Sequence, residues 1–105
     1  MSDVLTIEEI KQRIAPLMRQ NEVRRAYLFG SYARGEATAD SDVDLRVDLT
    51  QNKKLYGIFQ LAGFRENLAA ALGKEVDLLP SFPRGPLAQA FLANLAKDEL
   101  MIYAS

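Results

Sequence analysis

The sequence predicts an α/β (α+β) fold: a small mixed sheet of three to four strands, with helices packed chiefly on one face and an acidic site on the other. Three observations predict it. Thr6 followed by Glu9 forms a capping box, after which Ile7, Ile10, Ile14, Leu17 and Met18 recur at helical spacing. Residues 43–49 alternate, with Val43, Leu45, Val47 and Leu49 on one face and Asp42, Asp44, Arg46 and Asp48 on the other. Helix-period and strand-period stretches follow one another along 105 residues, a length that predicts one domain, residues 1–105, around one core.

Taken in order, the capping box opens a helix over 7–20, with a bend expected at Pro16, which cannot donate to the carbonyl of Gln12. Residues 23–29 read as a strand that Gly30 and Ser31 end, and a short helix is expected over 32–37. The alternating stretch is a half-buried strand with an unusually charged polar face. Residues 54–72 predict a second long helix, weakened by Gly57 and Gly63 and stopped by Gly73. A third strand is expected over 75–79, then a turn-rich loop from Pro80 to Gly85. Pro86 suits the first position of a last helix reaching about Lys97, and residues 100–103 read as a short extended tail. That last helix is apolar on more than one side (Leu87, Ala90, Phe91, Leu92, Ala93, Leu95), so part of it, with Phe82, is a candidate surface for a partner; core packing is the alternative for most of these residues, and Phe91 and Leu95 read as core.

Composition removes several chemistries. Hydrophobic residues make up 49% and charged residues 26%, as in ordinary globular chains. No apolar run approaches the roughly 20 residues that span a bilayer, and no signal-peptide pattern precedes the first helix. With no cysteine, the expectation is a cytoplasmic protein without thiolate chemistry. The absence of histidine leaves carboxylates, Lys, Tyr or water as acid or base. A net charge of −1 argues against strong direct binding to nucleic acid.

Two short motifs carry chemistry. Asp42 and Asp44 stand two residues apart on a strand, so both side chains leave the same face about 6.6–7 Å apart at Cα. Carboxylates so placed can converge on a magnesium ion, whose oxygen ligands sit at about 2.0–2.1 Å; a bare Asp-x-Asp is otherwise a solvated face. Gly30 and Ser31 lie where a strand passes into a helix. A glycine there lets backbone N–H groups approach a phosphate, and Ser31 can cap the helix or donate to phosphate oxygens. A plain turn with a serine cap is the alternative.

The combination is more specific than either part. Gly30-Ser31, ten residues, then Asp42-Val43-Asp44 on the next strand resembles the signature of polymerase-beta-type nucleotidyltransferases. The run from Gly30 through Leu45 is similar to the minimal nucleotidyltransferase (MNT) family, and the resemblance extends over nearly the whole chain, including Phe59 to Phe64. It implies a polymerase-beta-like core and a third acidic residue on a later strand, which Asp77 supplies. The implied roles are Asp42, Asp44 and Asp77 as magnesium ligands and catalytic residues, with Asp77 also drawing the acceptor's proton. Gly30, Ser31 and Arg34 would bind the nucleotide, although Arg34 reads equally as a surface arginine. Arg46 departs from the family, where many relatives place an apolar residue. Its parity puts it on the Asp42/Asp44 face, with Asp48, Asp77 or a triphosphate as expected partners.

The resemblance further implies the donor, ATP with Mg2+, and a hetero-oligomeric partner. Members of this family are commonly antitoxins paired with HEPN-domain ribonuclease toxins, some adding AMP to a toxin tyrosine. Two other functions fit the same residues: a non-catalytic antitoxin acting by complex formation, or an enzyme acting on a small molecule or RNA end.

Overall fold

The chain, in a computed structural model, is described over residues 4–49, 52–55, 57–81 and 99–105. Its elements are α1 (Ile7–Gln20), β1 (Arg25–Phe29), α2 (Gly30–Arg34), β2 (Val43–Asp48), α3 (Ile58–Leu72), β3 (Val76–Ser81) and β4 (Leu100–Ala104). The expected final helix over 86–97 and Phe82 lie outside the described residues.

The capping box forms as the spacing predicts. The Thr6 hydroxyl accepts from the Glu9 N–H at 3.0 Å, and the Glu9 carboxylate accepts from the Thr6 N–H at 3.1 Å. That backbone bond, then the Thr6 side chain and the Arg13 charge, hold the Glu9 carboxyl below its ordinary range. Ile10, Ile14 and Met18 share the buried face of α1, and Pro16 lies inside the helix on an exposed position. Glu22, with φ 58°, turns the chain out of α1 and lets the Val23 N–H reach the Met18 carbonyl at 3.0 Å.

The sheet has four strands in the order β3-β2-β1-β4. β1 pairs antiparallel with β2 and with β4, while β2 and β3 run parallel, so the sheet is mixed as expected. Parallel neighbours need a crossover, and α3 provides it. Ala26, Leu28, Val43, Leu45, Val47, Val76 and Ile102 are buried in one hydrophobic cluster with Ile10, Ile14, Met18, Phe64, Leu68 and Leu72. The helices therefore cover one face through α1 and α3, and the charged residues of β2 occupy the other.

Several elements differ from expectation, β1 among them, which begins at Arg25 instead of residue 23. The second long helix begins at Ile58 instead of residue 54, because the Asn52 side chain accepts from the N–H groups of Lys54 and Leu55 and holds a turn there. β3 runs on through Pro80 and Ser81, where a loop was expected. β3 is an edge strand of the sheet, where a proline's missing N–H is tolerated. The extended tail is β4, paired along β1 with a register shift between Ala26 and Tyr27.

Thr6→Ala should lower stability by about 1 kcal/mol, the usual cost of losing an N-cap, and shift thermal unfolding down by roughly 4–8 °C. An unchanged melting temperature would show that the cap is not carrying α1.

Candidate active site

β2 lies between β1 and β3, and the register of both ladders meets at Asp44. Asp44 is opposite Phe29, the last residue of β1, and beside Asp77 of β3. Val76 and Leu78, the neighbours of Asp77, pack into the core, so Asp77 projects to the open face and is exposed. Asp42 immediately precedes β2 and is exposed as well. Phe29, Asp44, Asp77, Leu78 and Leu79 line a shallow cavity of about 280 Å³.

Gly30 closes this corner. Its φ of 73° lies in the left-handed region, and a Cβ there would overlap the carboxylate of Asp44. Glycine is therefore required twice, by the backbone and by the acid beside it. α2 begins at Gly30 with Phe29 as N-cap and no side-chain cap bond. Ser31 consequently stands inside the helix and does not cap it, and its hydroxyl has no partner among the described residues. The short helix ends at Gly35, φ 74°, so it spans 30–34 instead of the expected 32–37.

Charge accumulates at this corner. Burial, the Asp77 charge, a hydrogen bond to Asp77 and the Asp42 charge push the Asp44 carboxyl up from 3.8 to about 6, with Arg34 opposing them. Arg34 itself pairs with Glu36 at 3.3 Å on the surface, yet its charge reaches Asp44. Among the described residues no group of three or more His, Cys, Asp or Glu side chains already encloses a metal-sized space. The donor chemistry nonetheless fits a hard divalent cation. Asp44 and Asp77 are oxygen donors on adjacent strands whose mutual repulsion a cation relieves, and magnesium keeps several waters besides one or two carboxylates.

Arg46 lies on the expected face and forms an ion pair, but with Glu99, a partner the sequence did not suggest. It is 9% exposed, and its guanidinium donates to both carboxylate oxygens of Glu99 at 2.8 Å, with the Tyr27 ring 4.2 Å away. Glu99 carried no sequence signal, because its pairing with Arg46 spans 53 residues. Phe29 and Leu79 were also missed as lining residues. Their signal was present, since Leu79 shares strand parity with Asp77 and Phe29 directly precedes Gly30. A second cavity of about 280 Å³ lies at the far end of the β1/β2 ladder, against Arg24, Arg25, Asp48 and Ser105. Its lining sets two arginines beside Asp48, where the first cavity sets Asp44 beside Asp77, so cavity size does not choose between the two and chemistry does.

Comparison with known proteins gives the family and the fold. Residues 11–104 match the family model described as polymerase beta, nucleotidyltransferase. A Methanocaldococcus jannaschii protein with a provisional protein adenylyltransferase name is 38% identical over 96 residues, covering 91% of this chain and 100% of that one. The protein adenylyltransferase MntA of Thermococcus cleftensis is 41% identical over 80 residues, covering 72% and 78%. Among solved structures, a toxin–antitoxin complex with AMP-PNP aligns at TM-score 0.71 and 23% identity, over 90% of this chain and 73% of the other. A tri-AMPylated Shewanella oneidensis HEPN toxin in complex with its MNT antitoxin aligns at TM-score 0.68 and 20% identity, over 95% and 74%.

In metal-free protein, stability should fall as pH rises from about 4 to about 6. The folded state keeps the Asp44 proton to about 6, whereas the unfolded chain releases it near 3.8, so the unfolded state binds fewer protons across that window. Discounted for the water that reaches the carboxyl, the effect is on the order of 1 kcal/mol. Thermal melts in chelator should show this slope for the wild type and a flatter one for Asp44→Asn; equal slopes would contradict the assignment.

Proposed function

This chain belongs to the polymerase beta nucleotidyltransferase family, and we propose that it is a magnesium-dependent protein adenylyltransferase acting as an antitoxin. In this reading it transfers AMP from ATP to a tyrosine hydroxyl of a HEPN-type ribonuclease toxin. The observation that carries the reading is the register: Asp44 of β2 beside Asp77 of β3, with Gly30 against the Asp44 carboxylate. The names of the M. jannaschii and T. cleftensis relatives support the reaction, and the toxin–antitoxin complexes support the class of partner.

Asp42, Asp44 and Asp77 would hold Mg2+, which when bound neutralises the triphosphate and the charge that develops on it. The remaining work falls to the chain's own groups. Gly30 leaves the backbone bare beside Asp44, and the unengaged Ser31 hydroxyl can donate to a phosphate oxygen. Arg34, whose charge already reaches Asp44, stands near enough to balance phosphate charge. The acceptor oxygen attacks the α-phosphorus; the new P–O bond forms as the bond to the departing pyrophosphate breaks. A tyrosine hydroxyl has a pKa of about 10 and needs a base at neutral pH. Asp77, exposed at the rim, takes that proton; with no histidine in the chain, a carboxylate is the natural acceptor.

The test is transfer of label from ATP to a co-expressed HEPN partner. Asp42→Asn and Asp44→Asn should abolish transfer with the fold intact, and Asp77→Asn should slow it by roughly 100-fold in single turnover, as for loss of a general base. Wild-type rates in any of the three would remove that residue from the mechanism. Neutralisation of the toxin without any transfer of label would instead identify a binding antitoxin.

A further inference from the structure

Arg46 poses an electrostatic problem that Glu99 solves. Arg46 follows Asp44 by two residues on the same strand face, about 6.6–7 Å away at Cα. A lone guanidinium there would repel any cation brought to Asp44 and Asp77, and in a partly buried setting salt would screen it poorly. The guanidinium is instead drawn across the open face of the sheet. It lies over Tyr27, its register partner on β1, with 4.2 Å to the ring centroid. It then donates to Glu99, which immediately precedes β4, through Nε at 3.0 Å and Nη2 at 2.8 Å. Only 11% of the arginine side chain and 13% of the glutamate side chain reach solvent. The pair therefore joins the site-bearing strand β2 to the far edge of the sheet, with Tyr27 filling the gap between.

We infer that Glu99 is a positioning residue for the acidic site: by holding and neutralising Arg46 over Tyr27, it keeps that guanidinium from competing with a divalent cation at Asp44 and Asp77. The inference rests on the reading of those carboxylates as cation ligands.

The test titrates Mn2+ into the full chain, without nucleotide, and follows the free-ion EPR signal. E99Q retains an acceptor for Arg46 but removes one negative charge, and should weaken Mn2+ binding roughly tenfold, the size of one unit of charge at this separation in a partly wet site. In R46M/E99Q the charge is balanced again, and affinity should return to within about threefold of the wild type, as coupled sites in a double-mutant cycle do. R46M alone should bind Mn2+ as tightly as the wild type or more tightly. A purely structural clamp would lower melting temperature in E99Q and R46M while leaving Mn2+ affinity unmoved, and that result overturns the inference alone. If E99Q does not fold, R46M decides, and weaker binding than wild type overturns it. A wild-type chain that binds no Mn2+ overturns both the inference and the reading of the site beneath it.

Discussion

A carboxylate packed where a side chain of residue 30 would stand is the constraint on which the site depends. Gly30 adopts a left-handed conformation and leaves the space that the Asp44 carboxylate fills. That contact sets the end of β1 against the start of β2 and aims the acid at β3. Because side chains alternate along a strand, a slip of one residue in β2 would bury Asp44 and expose Val43 or Leu45. Register and chemistry are therefore the same decision in this sheet.

The two faces of β2 show how one strand serves both. Val43, Leu45 and Val47 are fully buried under α1 and α3, which gives the strand no freedom to rotate or slide. The opposite face carries Asp44, Arg46 and Asp48, which no hydrophobic core would hold. Like charge gathers at one end of it, where Asp44 is pushed up to about 6, and opposite charge cancels in the middle, where Arg46 meets Glu99. The core secures the register and leaves an acidic corner with a perturbed carboxyl, the kind of group that clusters at functional sites.

Much of this was legible because its causes are local. The Thr6/Glu9 capping box and the helical spacing behind it predict α1 to the residue, and strict alternation predicts β2 to within one. Asp77 was legible through its flanking apolar residues, Val76 and Leu78, which declare a strand with that acid facing outward. What sequence could not carry was non-local or depended on a competing local bond. The turn held by Asn52 delays α3, and the edge position of β3 lets it absorb Pro80. Glu99 finds Arg46 only because β4 folds back along β1, 53 residues from the arginine.

The most direct measurement is a crystal structure of the chain with Mn2+ and a non-hydrolysable ATP analogue, with the metal located by anomalous scattering. Manganese is expected at Asp42, Asp44 and Asp77, with the triphosphate at Gly30 and Ser31. Metal and nucleotide bound elsewhere, for instance in the cavity beside Arg24 and Arg25, would contradict it, as would an acidic corner left empty at saturating ligand.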